Sequence, residues 1–214
     1  MAPSTAVRIR FGTHEILFGS LVEALFSDIQ DLDIVENSPS VLALGKKVET
    51  GVLDVALIVE SDRLKSSTLV VDVVLEDNYS VFYDPKSLKV REAKDMAKVL
   101  VAYMPQAIAT SGQTLQEVLT TGALPNSRLL KLSSLESVKS LVATGRSVGL
   151  LPVFSMYHEL RIGSAKEARL PELAWLRSRT KHRLSMITRS TESNLRRYEV
   201  LREKFKGIRF VKRN

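Results

Sequence analysis

The stretch LSSLESVKSLVATGRSVGLLPVF, residues 132–154, contains one helix and one strand with their boundaries marked. Ser133 and Ser134 are good helix N-caps, and Glu136 behind them suits a first helical turn. Leu135, Val138, Leu141 and Val142 recur at helical spacing, and Gly145 ends the helix. Residues 147–154, SVGLLPVF, then read as a strand leading into a further short helix. RLLKL at 128–132 supplies a strand before the helix, so this region reads as β-α-β.

The same alternation occurs at the amino end. VRIRF at 7–11 is rich in β-branched and aromatic residues and reads as a strand that Gly12 and Thr13 end. From Glu15 to Phe26 the apolar positions Leu17, Leu21 and Leu25, with Phe18, Val22 and Phe26 beside them, predict a helix. LDIVEN at 32–37 is a second strand. Ser38 is then a suitable N-cap and Pro39 a suitable first residue for a helix carrying Val41, Leu42, Leu44 and Val48, with Gly51 placed to end it. LDVALIVE at 53–60 is a third strand. Two β-rich runs, 69–75 and 79–83, flank the turn-prone Glu76-Asp77-Asn78, and a crossing between lobes is expected here. A second α/β set follows: a short helix near 93–98, a strand at 99–103, a helix near 114–119, and the 128–154 unit. HRLSMITR at 182–189 is a late strand, and 191–206 a closing helix. A strand after a complete second lobe predicts that the chain returns to the first. The lobes are expected at 1–84 and 85–176, with 177–214 returning to lobe I.

Composition excludes several classes. The 214 residues are 44% apolar and 26% charged, which suits a globular chain large enough to bury a core. With no cysteine there is no disulfide, thiolate nucleophile or Cys-based metal site. His14, His158 and His182 are too scattered for a metal motif, and no cofactor is expected. No apolar run reaches a membrane span and MAPSTAVRIR lacks a secretory h-region, so a cytoplasmic location is expected.

The net charge of +7 is local. Residues 177–214 hold 13 Lys/Arg against 3 Asp/Glu, while the remaining 176 residues sum to −3. Tyr198 and Phe205 lie at helical spacing with Leu195 and Leu201, which places those four toward a core and Arg196, Arg197, Arg202 and Lys204 toward water. An acidic partner or an auxiliary phosphate contact is the alternative use of this face. No nucleotide fingerprint of either common type is present. The GRSVG match at 145–149 precedes a strand, whereas a serine nucleophile needs a strand-to-helix elbow, so enzyme status is not expected.

Three segments carry a family resemblance: GTHEILFGSLVEALF after the opening strand, GVLDVALIVES, and above all LSSLESVKSLVATGRSVGLLPVF. They resemble the effector-binding domain of LysR-type transcriptional regulators over about residues 7–191. The resemblance implies an α/β fold of two Rossmann-like lobes joined by crossing strands, like type 2 periplasmic binding proteins, with a small-molecule cleft between lobes. It also implies a homodimer through lobes side by side, with helix 15–26 in the contact, and a tetramer at full length. The roughly 90-residue winged helix-turn-helix and linker helix of that family have no counterpart here. The chain is therefore expected to be a truncated piece or a stand-alone regulatory domain, reaching DNA only through the missing module.

Candidate ligand contacts follow from a general property of such sheets: ligands sit beyond the strands' carboxyl ends, near helix N-termini that favour anions. After the first strand, Thr13 can donate a hydroxyl or cap its helix, and His14 can contact an anion or stand as an exposed loop histidine. In the second lobe Ser133 and Ser134 precede a helix, one as N-cap. In the resembled fold 147–154 runs along the cleft floor. There Gly149 would permit close backbone approach, and Pro152 and Phe154 would form an apolar wall, with core packing as the alternative. MPQAIATSGQ, 104–113, offers Gln106 and Ser111 as an adaptable polar loop. Ser61, beside Glu60 where the third strand enters the hinge, is placed to touch both lobes or to bond within the hinge. The expected function is sensing of a small anionic metabolite; a solute-binding protein of the same fold is the alternative, followed by an enzyme on that fold.

Overall fold

The computed structural model describes residues 8–17, 32–59, 64, 66–105 and 128–207. The described chain divides into two compact units. It leaves the first between Glu76 and Asp77 and returns between His182 and Arg183. The sequence pattern expects the crossing around Glu76-Asp77-Asn78, counts the run 79–83 with lobe I up to 84, and begins the return at 177. Instead strand β4 (Leu69–Asp77) runs through the acidic pair, and after Asn78 alone strand β5 (Tyr79–Tyr83) begins in the other sheet.

The first unit is built on the sheet β2-β1-β3-β10-β4, in which β1 (Ile9–His14) lies parallel to β2 (Leu32–Ser38) and β3 (Val55–Val59), and β10 (His182–Arg189) antiparallel to β3. The first strand does not stop at Gly12. A register shift between Phe11 and Gly12 lets Gly12, Thr13 and His14 pair with Glu36, Asn37 and Ser38, and helix α1 starts only at Glu15 (Glu15–Leu17). The remainder of the expected 15–26 helix lies outside the described residues.

Helix α2 (Val41–Glu49) begins two residues later than Ser38 and Pro39 predict. Ser38 is still in β2, and its hydroxyl accepts the Ser40 N–H at 3.2 Å. Ser40 is the N-cap, accepting the Ala43 N–H at 3.2 Å. Leu44 and Val48 of α2 pack with Leu53, Ala56, Ile58 and Ile187. Val55 and Leu57, which alternate with these on β3, are also fully buried. Both faces of β3 are thus covered, which is why LDVALIVE has no polar alternation.

Helix α7 (Glu192–Gly207) packs against β3, and its Tyr198, Leu201 and Phe205 are buried. Arg196 faces water at 83% exposure, as the spacing predicts, whereas two other basic residues are only partly solvated. Arg197 and Arg202 are half-buried and reach acids: Arg197 Nη1 lies 3.1 Å from Asp54, and Arg202 Nε lies 3.7 Å from Asp72. Leu195 is likewise only partly covered.

The second unit has the sheet β7-β6-β8-β5-β9, from β6 (Leu100–Tyr103), β7 (Arg128–Lys131), β8 (Ser147–Pro152), β5 and the short β9 (Lys166–Glu167). β6 is parallel to β7 and β8, whereas β5 is antiparallel to β8 and β9. Helix α3 (Ala93–Met96) precedes β6, and helix α4 (Leu135–Ala143) joins β7 to β8. Gly145, at φ 67, turns the chain out of α4 as its position predicts. A 3-10 turn (Val153–Met156) leads to helix α5 (Tyr157–Ile162). β9 and helix α6 (Ala174–Arg179), which the sequence pattern does not announce, come before β10. No helix of the described residues is long and apolar enough to cross a membrane.

Candidate functional site

Each unit presents a polar corner at the carboxyl ends of its parallel strands. In the first, Thr13 and His14 sit beside Asn37 and Ser38. Thr13 is fully buried, and its hydroxyl donates to the His14 carbonyl at 3.3 Å, so it serves the strand end and not a helix cap. His14 is not the exposed loop histidine of the alternative reading, because at 9% exposure its ring is covered. Burial lowers its pKa, while Glu15 and a hydrogen bond to the Pro39 carbonyl oppose that shift. The sequence assigns Ser38 to a helix cap and so misses it as a member of this corner. An N-terminal Ser-Pro-Ser carries two possible caps, and only pairing of Ser38 with His14 decides between them.

In the second unit Ser134 is the N-cap of α4. Its Oγ accepts the Ser137 N–H at 3.2 Å and lies 2.8 Å from the Ser137 hydroxyl. Ser133 is exposed beside it. Gly149 has a packing reason for lacking a side chain: a Cβ there would lie 2.5 Å from Val142 Cγ2 and 3.1 Å from Val138 Cγ1, so its bare face admits helix α4.

Phe154 is 1% exposed and belongs to the core of the second unit. Its ring meets His182 edge-on, with centroids 5.4 Å apart, and its N–H donates to Asp77 at 2.7 Å. Pro152, also buried, ends β8 opposite Tyr79 and accepts the Ser155 hydroxyl at 2.7 Å. The Phe154 ring therefore packs inside its own unit, as the core-packing alternative has it, and Pro152 is buried beside it. Around them lies a cluster with no motif in the sequence, Asp77, Tyr79, Thr180 and His182. The Tyr79 N–H donates to Thr180 Oγ1 at 3.1 Å, and the His182 ring stands edge-on to Tyr79 at 5.6 Å. Ser61, Gln106 and Ser111 lie outside the described residues. Among the described residues no group of three or more His, Asp or Glu could hold a metal ion.

Two five-stranded mixed sheets in one chain that changes sheet twice, with polar corners at strand ends, define the class: the fold is that of the regulatory, effector-binding domains of LysR-type regulators. The regulatory domain of HypT from Salmonella typhimurium, in its bromide-bound form, superposes with a TM-score of 0.67 at 12% identity, covering 97% of this chain and 100% of that one. The sulfate-bound OxyR2 regulatory domain from Vibrio vulnificus gives 0.60 at 15% identity, over 94% and 95%. Full-length OxyR from Pseudomonas aeruginosa gives 0.60 at 19% identity, and there the chain spans 65% of the longer protein. No family model matches the chain, and comparison with curated proteins finds no match.

Proposed function

We propose that the chain is a regulatory module that binds a small anionic effector and passes the binding event to an attached DNA-binding domain. The observation that carries this reading is the corner formed by Thr13, His14 and Ser38 on this fold. Its polar groups gather where parallel strands end, which is where ligands of open α/β sheets sit. Two proteins with the same fold were captured with anions, bromide in HypT and sulfate in OxyR2. The Ser134 cap supplies a comparable corner in the second unit. Homodimerisation, and a tetramer in a longer chain, belong to the same proposal.

A regulator of this kind works only if its effector binds two arrangements of the protein unequally, since equal affinity shifts no population. A thermal-shift screen of small carboxylates and amino-acid metabolites tests the proposal. A ligand at 100 times its Kd adds about 2.7 kcal/mol of stability. A hit weakened by Thr13→Ala or Ser134→Ala, in variants that remain folded, supports the site. Unchanged affinity in both rejects it. Size-exclusion chromatography separates this reading from a solute-binding protein, for which a monomer is expected.

A further inference from the structure

The amino ends of the first unit's parallel strands carry a charged cluster that the effector reading does not use. Asp54 stands immediately before β3 with its side chain 1% exposed. Arg10 on β1 grips it three ways: Nη2 to Oδ1 at 2.7 Å, Nε to Oδ2 at 3.2 Å, and the backbone N–H to Oδ2 at 2.9 Å. Arg197 on α7 brings Nη1 to 3.1 Å from Oδ1, and Arg189, at the end of β10, brings Nη2 to 3.9 Å from the same atom. Three guanidiniums from three elements therefore converge on one carboxylate oxygen.

Arg189 is fixed from behind. With the amide of buried Asn194 oriented oxygen-first, that oxygen accepts from Arg189 Nε and Nη2, both at 3.0 Å. Gly51, at φ 78, leaves room for the opposite side of the guanidinium, where any Cβ would collide with Nη1. Neutralising Asp54 needs one arginine, and Arg10 already does so with a bidentate fork. Arg189 and Arg197 add two positive charges for which the described residues provide no further acid. All three side chains keep a solvent-facing part, at 44%, 26% and 27% exposure, and each guanidinium carries N–H donors beyond those used.

Held in place and undercompensated, such forks match an oxyanion with several acceptor oxygens. A halide would use none of the fork geometry and a single carboxylate would occupy one fork. We propose that Arg10, Arg189 and Arg197 form a second anion site, for a tetrahedral dianion such as inorganic phosphate or the terminal phosphate of a phosphomonoester. It lies at the opposite end of β1 from Thr13 and does not depend on the effector reading.

The test is titration of the chain with inorganic phosphate, with sulfate and with glycerol phosphate. Ionic strength is held constant with chloride, and thermal shift and calorimetry are read in wild type, Arg197→Gln, Arg10→Gln and Lys46→Gln, the last removing an exposed cation of the same unit. Saturable binding is expected in wild type and Lys46→Gln, with a loss of about tenfold or more in each arginine variant. Tighter binding of glycerol phosphate than of phosphate identifies an ester as the source of the dianion; equal binding identifies the free ion. If an arginine variant does not fold, protection of Arg197 in wild type from phenylglyoxal by phosphate, read by peptide mass, replaces it. A melting temperature that follows ionic strength whatever the anion, affinities unchanged in the arginine variants, or absent protection overturns the proposal.

Discussion

The imidazole of His182 lies 3.8 Å from the carboxylate of Asp77, with side-chain exposures of 5% and 8%, at the two points where the chain enters and leaves the second unit. The contact is too long for a hydrogen bond, and Nε2 has no hydrogen-bond partner. Nδ1 lies 3.3 Å from the Thr180 carbonyl. A nearby carboxylate favours imidazolium, but removal of the ring from water dominates. It lowers the His182 pKa to about 4, against the opposing Thr180 hydrogen bond.

A histidine kept neutral by folding makes stability pH-dependent with a definite sign. Above pH 6.5 both folded and unfolded chains hold the ring neutral, and its contribution is fully present. As pH falls toward 4 only the unfolded chain gains the proton, so stability declines, by on the order of 3 kcal/mol over the window. Urea unfolding at stepped pH should show this decline in wild type and a flatter profile in His182→Gln. An equal slope in the variant would assign it to other groups.

Asp54→Asn should destabilise the first unit by about 1.5–3 kcal/mol, because it removes the buried carboxylate that accepts the Arg10 hydrogen bonds and leaves the half-solvated arginines to repel one another. Burial alone would raise the Asp54 pKa, but the Arg10 hydrogen bonds and the charges of Arg10 and Arg197 outweigh it and hold the carboxyl below its usual range. Its contribution is therefore present above the ordinary carboxylate range and disappears only as acid protonates the folded chain. Urea midpoints at neutral pH measure the effect.

Gly149→Ala should cost about 1–3 kcal/mol through overpacking against α4. If the contact with Val142 is the cause, Val142→Ala introduced beside it should recover part of the loss, although alone it is destabilising. Thermal melts of the single and double variants give the coupling, and additive losses would place the strain elsewhere.

Ser134→Ala should lower stability by about 1 kcal/mol from the lost cap of α4, with no change in quaternary state. Ser133→Ala, at an exposed neighbour that caps nothing, should fall within about 0.5 kcal/mol of wild type. Denaturant melts distinguish the two serines, which residue type alone does not.

Elements set by local chemistry were legible in the sequence. Ser134, the apolar spacing of Leu135, Val138 and Val142, and Gly145 bound α4 within a few residues of one another, and caps and turns act over that distance. The shift of α2 from Ser38 to Ser40 shows where local rules fail, because a strand partner on β1 claims Ser38 before the helix can. Of the candidate site, the place of Thr13, His14 and Ser134 between strand and helix is legible in the sequence. For Phe154 and Pro152 the sequence leaves ligand wall and core packing both open, because an apolar strand end looks the same whether it lines a cavity or packs on a ring from elsewhere in the chain.

The sequence by itself determined the alternation of strands and helices, the return of a late strand, and the inward place of Tyr198, Leu201 and Phe205 on α7, since each depends on the pattern within one segment. Only the tertiary structure decided which charges meet: Tyr198 donates to Asp72 at 2.6 Å across 126 positions, and Arg10 reaches Asp54 across 44. The physical reason is range. Hydrogen bonds and ion pairs act over a few ångströms in space, and separation along the chain does not encode which distant side chains the packed sheets bring within that reach.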